Sequence, residues 1–238
     1  MSPLLISFLA SISTIIGTVF IKFKNKNLLC FSLMFASGVM ITVSIFDLIP
    51  EAYIKLNSIF NIIPSILLLG IFFSIGIIIS TLIDKFVPNN DVIYRVGVIN
   101  LIAIVIHNIP EGIVTYLTSC VDIKLGINLA VSIALHNIPE GIAIALPIYY
   151  STNDKYKVLI YTALAGISEF IGSILALLFL KNYITNQFIG IMLATIAGIM
   201  IQISVYELIP NGIKFKNKRV GVYFFLGVLI MFLSIIII

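Results

Sequence analysis

The feature that most constrains this chain is a succession of apolar segments, each about 20 residues long, joined by short polar connections. Soluble domains are roughly half apolar and about a quarter charged, whereas 61% of these residues are hydrophobic and 10% are charged. Because lipid offers no hydrogen bonds to the backbone, only helices and closed barrels can span it. The segments do not alternate with a period of two, so they predict helices. The expected fold class is therefore an all-α integral membrane protein.

Eight transmembrane helices can be drawn, and residues 1–238 are expected to form a single eight-helix transmembrane domain with no soluble part. The first apolar run follows no basic residue and is long enough to span, so it is interpreted as a helix and not as a cleaved signal peptide. The predicted spans, numbered one to eight, cover residues 3–21, 28–50, 62–83, 93–118, 126–149, 157–180, 185–210 and 220–238.

Basic residues are unevenly distributed between the connections. Eleven of the 14 Lys and Arg residues flank the connections after spans one, three, five and seven, and only Lys55, Lys124 and Lys181 follow spans two, four and six. Positive residues favour the cytoplasmic side, so the distribution predicts a plasma-membrane protein with both termini outside. The net charge of +4 is small and gives no indication of nucleic-acid binding.

An internal repeat relates spans two and seven. Residues 35–50 align without gaps on residues 195–210, and both copies share a Gly, a Met, a Ser, an acid (Asp47 or Glu207) and a final Leu-Ile-Pro. The copies lie five spans apart and so should cross the membrane in opposite directions. Inverted repeats of this kind are common in secondary transporters, which favours inverted-repeat symmetry here.

The most informative motif is the hexapeptide His-Asn-Ile-Pro-Glu-Gly, which occurs at 107–112 in span four and again at 136–141 in span five. These contain the only two histidines, both inside apolar stretches where ionisable groups are costly and usually functional. Each His lies four residues before its Glu and each Asn three residues before it, so the three share a helix face. Imidazole and carboxylate together suit zinc and its first-row neighbours. The candidate metal ligands are His107, Asn108, Glu111, His136, Asn137, Glu140 and, in span six, Glu169.

Glu169 completes a set of three intramembrane carboxylates with Glu111 and Glu140. No Lys or Arg is expected beside them, so their counter-charge should be imported, and one or two divalent cations would supply it. A structural His–Glu hydrogen bond is the simplest alternative for one copy, but two copies and a third acid favour metal. Asp47 and Glu207 are interpreted either as entrance and exit groups or as ordinary acids at helix ends.

Two other functions fit parts of the pattern. An intramembrane metalloenzyme using a zinc-bound water would need buried His and Glu, but the chain has no His-Glu-x-x-His and its duplication suits a path through the membrane. A proton or sodium antiporter would explain the acids but not the paired histidines. No nucleotide-binding Gly-x-x-x-x-Gly-Lys motif is present, and no catalytic residue or catalytic cofactor is predicted.

The doubled motif, with Glu111, Glu140 and Glu169 at successive 29-residue intervals, resembles the ZIP (Zrt/Irt-like) family of divalent metal transporters, most closely its bacterial zinc-uptake branch. The resemblance covers essentially the whole chain and is strongest over 105–172. It implies eight helices and a binuclear centre between spans four, five and six. One site would use both histidines with Glu111 and Glu140, and the other would use Asn108, Asn137 and the three glutamates.

The resemblance also sets expectations about cargo and partners. Zinc is expected first, and the ligand types also allow iron, manganese, cobalt and cadmium. A homodimer is common in the family. The chain departs from many relatives in its short connection 84–95, which lacks histidine and so is not expected to sense metal. It also has Asn137 where some relatives have Asp, which lowers the charge of the second site.

Overall fold

The computed structural model describes residues 2–22, 25–87, 91–180 and 185–237, and within them it contains helices and no strands. Eight helical segments are long and apolar enough to cross a membrane, as predicted. Lys24 and Lys181, which contribute to the charge distribution above, lie outside the described residues, as do residues 88–90 of the short connection. The eight spans, numbered in chain order, are Pro3–Ile21, Lys26–Asn57, Ile62–Phe86, Val92–Val121, Ile123–Thr152, Lys155–Phe179, Asn186–Ile213 and Val220–Ile237.

The helices extend beyond the apolar segments that predicted them. Span two continues past its predicted end at residue 50 as far as Asn57, and span seven continues past residue 210 as far as Ile213. Asp47 and Glu207 therefore lie within helices and not at their ends, which corrects the prediction. Apolar patterning missed these extensions because Glu51, Lys55, Asn57 and Asn211 interrupt the apolar runs, and hydropathy reports only the lipid-facing length.

Several spans are helices of mixed type. Span one is α-helical over Pro3–Ile16 and 3₁₀ over Gly17–Lys22, and span six ends in a π-helical segment at Ala176–Leu180. Span two comprises α-helix Lys26–Val43, π-helical segment Ser44–Leu48 and α-helix Ile49–Asn57. Span seven repeats that order as Asn186–Ile203, Ser204–Leu208 and Ile209–Ile213.

The repeated segments thus share a local structure as well as a sequence pattern. Each π-helical segment begins at a buried serine whose hydroxyl donates to the carbonyl of the methionine four residues earlier, Ser44 to Met40 at 2.8 Å and Ser204 to Met200 at 2.7 Å. Each is followed by proline in the first turn of the next helix. Single π-turns often mark functional sites. Inverted symmetry between the two copies stays a prediction.

The eight spans pack as two groups of four. Spans one, four, five and six contact one another extensively and form the first bundle, while spans two, three, seven and eight form the second. Span two against span five and span four against span seven provide most of the contact between the bundles. Spans three and eight are the least covered by protein. All seven predicted ligands lie in the first bundle, and both repeat acids, Asp47 and Glu207, lie in the second.

Candidate metal centre

A very short connection places the two hexapeptides at the same depth. Asp122 alone separates spans four and five, and its carboxylate accepts hydrogen bonds from the backbone N–H groups of Lys124 at 2.7 Å and Leu125 at 3.3 Å. Such capping satisfies donors that the first helical turn cannot satisfy itself. His107 and His136 lie almost equally far along the chain on either side of Asp122. Because the two helices have the same rise per residue, both histidines lie at one level, roughly 20 Å from the turn.

The next turn gives Glu169 the same depth. Span five ends at Asn153 in the left-handed conformation with φ 55°, and Asp154 caps the start of span six. Glu140 and Glu169 again lie almost equally far along the chain on either side of this turn. The regular interval between the glutamates therefore corresponds to the number of residues in one helix and its turn. This interval brings the polar groups of three helices to one level.

The predicted ligands are all buried. Each of the seven has a relative exposure of 3% or less, and they form one polar layer inside the first bundle. Its members are His107, Asn108, Glu111, His136, Asn137, Glu140 and Glu169.

The histidines and glutamates pair across the helix boundary instead of along one helix. His107 Nε2 lies 3.3 Å from Glu140 Oε2, and His136 Nε2 lies 3.5 Å from Glu111 Oε2. The first pair forms a hydrogen bond, whereas the second approaches without forming one. Intrahelical spacing alone predicted a shared face but did not reveal this exchange of partners.

The asparagines link the layer to span six. Asn137 donates to Glu169 Oε2 at 2.8 Å, and Asn108 donates to the carbonyl of Ala165 at 2.9 Å. In each case the amide nitrogen is used and the amide oxygen has no partner in the protein. Both Asn oxygens are therefore available to a cation.

Unpartnered polar atoms are concentrated in this layer. Among the described residues, thirteen buried side-chain nitrogen or oxygen atoms lack a hydrogen-bond partner in the protein, and nine of them belong to the seven predicted ligands. Each ligand contributes at least one such atom. Because buried polar atoms are normally satisfied, this concentration indicates a site for a bound cation or water. The donor set fits a divalent metal such as zinc.

The side chains do not yet converge as a complete coordination sphere. In the described part of the chain, no three His, Cys, Asp or Glu side chains come together closely enough to hold one metal ion. The arrangement instead contains two His–Glu pairs and the Asn137–Glu169 pair. A binuclear centre therefore stays a prediction that requires these side chains to reorient around the cations.

Glycines hold the ligand-bearing helices in close contact. A Cβ added to Gly112 would lie 1.8 Å from the carbonyl oxygen of Glu169, and one added to Gly172 would lie 2.0 Å from that of Ile109. Spans four and six therefore touch backbone to backbone beside Glu169. Gly141 serves span one in the same way, since its added Cβ would lie 1.9 Å from the Thr14 carbonyl oxygen. Small residues at such contacts are typical of membrane helix packing.

Asp47 lies on the side of span two that faces the centre. It lines a cavity of about 160 Å³ together with Ser132, which is one helical turn before His136. The sequence identified Asp47 as a candidate entrance group. The cavity brings one polar side chain from each bundle together at this end of the molecule.

Glu207 lies at the opposite end and is engaged by an arginine. Its Oε1 lies 3.5 Å from Arg95 Nη1, and Arg95 Nη2 lies 2.5 Å from Asp84 Oδ1. The charge distribution assigned Arg95 to a connection, but it lies in the first turn of span four. Sequence analysis missed this pairing, although an arginine inside a predicted span was a signal for a buried partner.

Known proteins are similar to this sequence over nearly its whole length. The family model described as ZIP Zinc transporter matches residues 91–235, which include both hexapeptides and Glu169. The chain belongs to the ZIP family. It is 35% identical to a zinc transporter ZupT of Clostridium perfringens, covering 98% of this chain and 94% of that protein. It is 34% identical to a zinc transporter ZupT of Streptococcus mutans, covering 98% and 96%, and 35% identical to that of Campylobacter jejuni, covering 98% and 94%.

Membership of the ZIP family confirms the predicted resemblance and the predicted class. Its relatives are transporters and not enzymes, so the metalloenzyme alternative is not supported. The eight spans and the ZIP match together identify a multi-pass membrane protein of a zinc-transporting family.

Proposed function

We propose that this chain takes up zinc, and other divalent cations, through the polar layer shared by spans four, five and six. The observation that supports this most directly is the set of nine unpartnered ligand atoms, all buried, at one depth. Zinc is the cargo, so its ligands must both bind it and release it. The whole chain is proposed to work as one transporter domain, and the two bundles are proposed to be its moving parts.

The proposed centre is binuclear. His107, Glu111, His136 and Glu140 hold one cation, and the crossed pairs mean that spans four and five contribute to it equally. Asn108, Asn137 and Glu169 hold the second cation together with the same two glutamates. Glu111 and Glu140 bridge the sites, because a carboxylate can offer one oxygen to each cation.

The proposed path runs from Asp47 to Glu207. A cation enters through the cavity that Asp47 shares with Ser132, loses water to the centre and leaves past Glu207. The distribution of basic residues favours a cytoplasmic Glu207 end with both termini outside, and in that orientation this direction is uptake. Rocking of one bundle against the other would expose the centre to each side in turn, as the proposed inverted repeat suggests.

The ligand types also allow iron, manganese, cobalt and cadmium, so a broad metal range is part of the proposal. A homodimer in the plasma membrane is a further part of it.

The decisive experiment is uptake of radioactive zinc into liposomes that contain purified protein. His136→Ala and Glu140→Ala should each abolish saturable uptake, because each removes a ligand from the buried layer. Asp154→Asn is the matched control, since Asp154 caps the start of span six outside the layer and asparagine can cap it equally well, and it should leave uptake unchanged.

Uptake that persists in both ligand variants would contradict the assignment of the centre. Absence of uptake above empty liposomes, with folded wild-type protein, would contradict the transport function.

A further inference from the structure

The Glu207 end of the molecule contains a charged contact between the two bundles. Arg95 belongs to span four in the first bundle, whereas Asp84 and Glu207 belong to spans three and seven in the second. The guanidinium contacts both carboxylates and also donates to the backbone carbonyl of Asp84 at 2.8 Å. Among the described residues, Arg95 forms the ion pairs that join one bundle to the other.

This contact is partly shielded from solvent. The side chains of Arg95 and Glu207 are 18% and 8% exposed, so salt and water weaken their attraction less than at an open surface. Arginine suits such a contact because its planar fork can serve two acceptors at once. Asn211, one turn after Glu207, donates to the Glu207 backbone carbonyl at 2.7 Å and supports that turn of the helix.

A cavity separates the bundles directly beside the contact. It has a volume of about 310 Å³ and is lined by Val92 and Val96 of span four and by Asn211 and Lys214 at the end of span seven. The two bundles are therefore loosely packed at this end, and the ion pairs bridge them where apolar packing is incomplete. Such a boundary can open without disrupting a packed core.

We propose that Arg95, Asp84 and Glu207 form a latch that holds this end of the transporter closed and breaks whenever the centre opens toward it. The proposal rests on the proposed movement of the bundles, and it identifies Arg95 as a positioning residue for transport. In the closed state the guanidinium lies 3.5 Å from Glu207 Oε1, so its positive charge opposes the approach of a leaving cation to this carboxylate. Glu207 becomes available only when Arg95 moves away with span four.

The latch can be tested by measuring distances between bundles in metal-free protein reconstituted in lipid nanodiscs. Nitroxide labels on Tyr156→Cys in span six and Val222→Cys in span eight would report the separation of the bundles at this end by pulsed electron spin resonance. Both positions are exposed, at 73% and 63%, so the labels should not disturb packing. The native Cys30 and Cys120 would be replaced by alanine and serine.

Arg95→Gln should increase about fivefold the fraction of molecules in which the two labels lie farther apart. This factor corresponds to the upper value of the stabilisation by an exposed ion pair. Arg95→Lys should give a smaller increase, since it retains charge but loses the fork. Arg95→Gln combined with Glu207→Gln should match Arg95→Gln alone, because removing the arginine already removes both pairs.

A control pair of labels within one bundle distinguishes a latch between the bundles from a general structural role of Arg95. Labels on Phe86→Cys and Val222→Cys both lie in the second bundle at the same end, and their distance should not respond to Arg95→Gln. An unchanged Tyr156–Val222 distance in Arg95→Gln would overturn the proposal, and so would an equal change in the control pair. Because the measurement uses no zinc, its result is independent of whether the buried centre transports it.

Discussion

Replacing Gly112 by alanine should displace Glu169 from the metal centre without changing any proposed ligand. A Cβ at Gly112 would lie 1.8 Å from the Glu169 carbonyl oxygen and 2.7 Å from its carbonyl carbon. These are backbone atoms of span six, so no side-chain rotation can relieve the overlap. Ordinary van der Waals contact begins at 3.4 Å, nearly twice the separation that the new Cβ would have from that oxygen. The two helices must therefore separate locally by an amount on the order of 1–2 Å, because non-bonded atoms repel steeply inside their contact distance.

The overlap would strain the part of span six that carries a proposed metal ligand. The displaced backbone is that of Glu169 itself, whose carboxylate is held by Asn137 at 2.8 Å. A separation of that size would break this hydrogen bond or pull Asn137 with it. Disturbing groups that orient metal ligands typically costs ten- to a hundredfold in affinity or activity, so we expect zinc uptake to fall by about that factor. The added methyl group should also destabilise the fold by about 1–3 kcal/mol.

The assay is the initial rate of zinc uptake per folded molecule in liposomes, with thermal unfolding measured on the same preparations. Gly70→Ala is the matched control, because no atom lies within 4 Å of its added Cβ on the outer face of span three. It should leave uptake unchanged and should keep or slightly raise the unfolding temperature, because alanine favours a helix interior over glycine. Wild-type uptake by well-folded Gly112→Ala would refute the idea that backbone contact between spans four and six positions Glu169.

Four further outcomes are expected. Zinc uptake should fall as the pH is lowered from about 7 to about 5.5, because protons compete with the cation for the two histidines His107 and His136, and a flat profile of initial rates would contradict their role as ligands. Asp47→Asn should raise the zinc concentration for half-maximal uptake with little change in maximal rate, which a concentration series would measure, since Asp47 lines the entrance cavity and not the ligand layer. Asn137→Asp should tighten zinc binding, measured by titration calorimetry, by adding a carboxylate beside Glu169; unchanged affinity would remove Asn137 from the ligand set. Asp122→Ala should lower stability by about 1 kcal/mol, measured by thermal unfolding, because it removes the cap of span five.

The depth of the candidate centre was predictable because one spacing determines it. Helices of equal rise joined by very short turns return to the same level after a fixed number of residues, and Glu111, Glu140 and Glu169 follow that interval. Burial was predictable for the same residues, since charged groups in a long apolar helix avoid lipid by facing other helices. The number of spans followed from their length and apolar composition.

Contacts between helices were less accessible to sequence reasoning. The i to i+4 spacing placed His107 and Glu111 on one face, but the nearest acid to His107 is Glu140 because spans four and five face each other across the layer. Arg95 lay inside the predicted span four but was counted only as a flanking positive charge, because its partners Asp84 and Glu207 belong to other helices and hydropathy does not reveal contacts between helices. Rotation of each helix about its axis depends on packing against all its neighbours, and a single sequence does not encode that locally.

The distribution of functional groups between the two bundles constrains how transport could occur. Every proposed ligand belongs to spans four, five and six, so a bound cation would move with the first bundle as a unit. Asp47 and Glu207 belong to the second bundle and lie toward opposite ends of it. A cation held by one bundle can exchange between these two acids only if the bundles shift relative to each other. The glycine contacts at Gly112 and Gly141 keep the first bundle rigid during such a shift, because they join its helices backbone to backbone. The boundary between the bundles at the Glu207 end contains a cavity and an ion pair in place of such contacts, and it is therefore the part of the structure best suited to open.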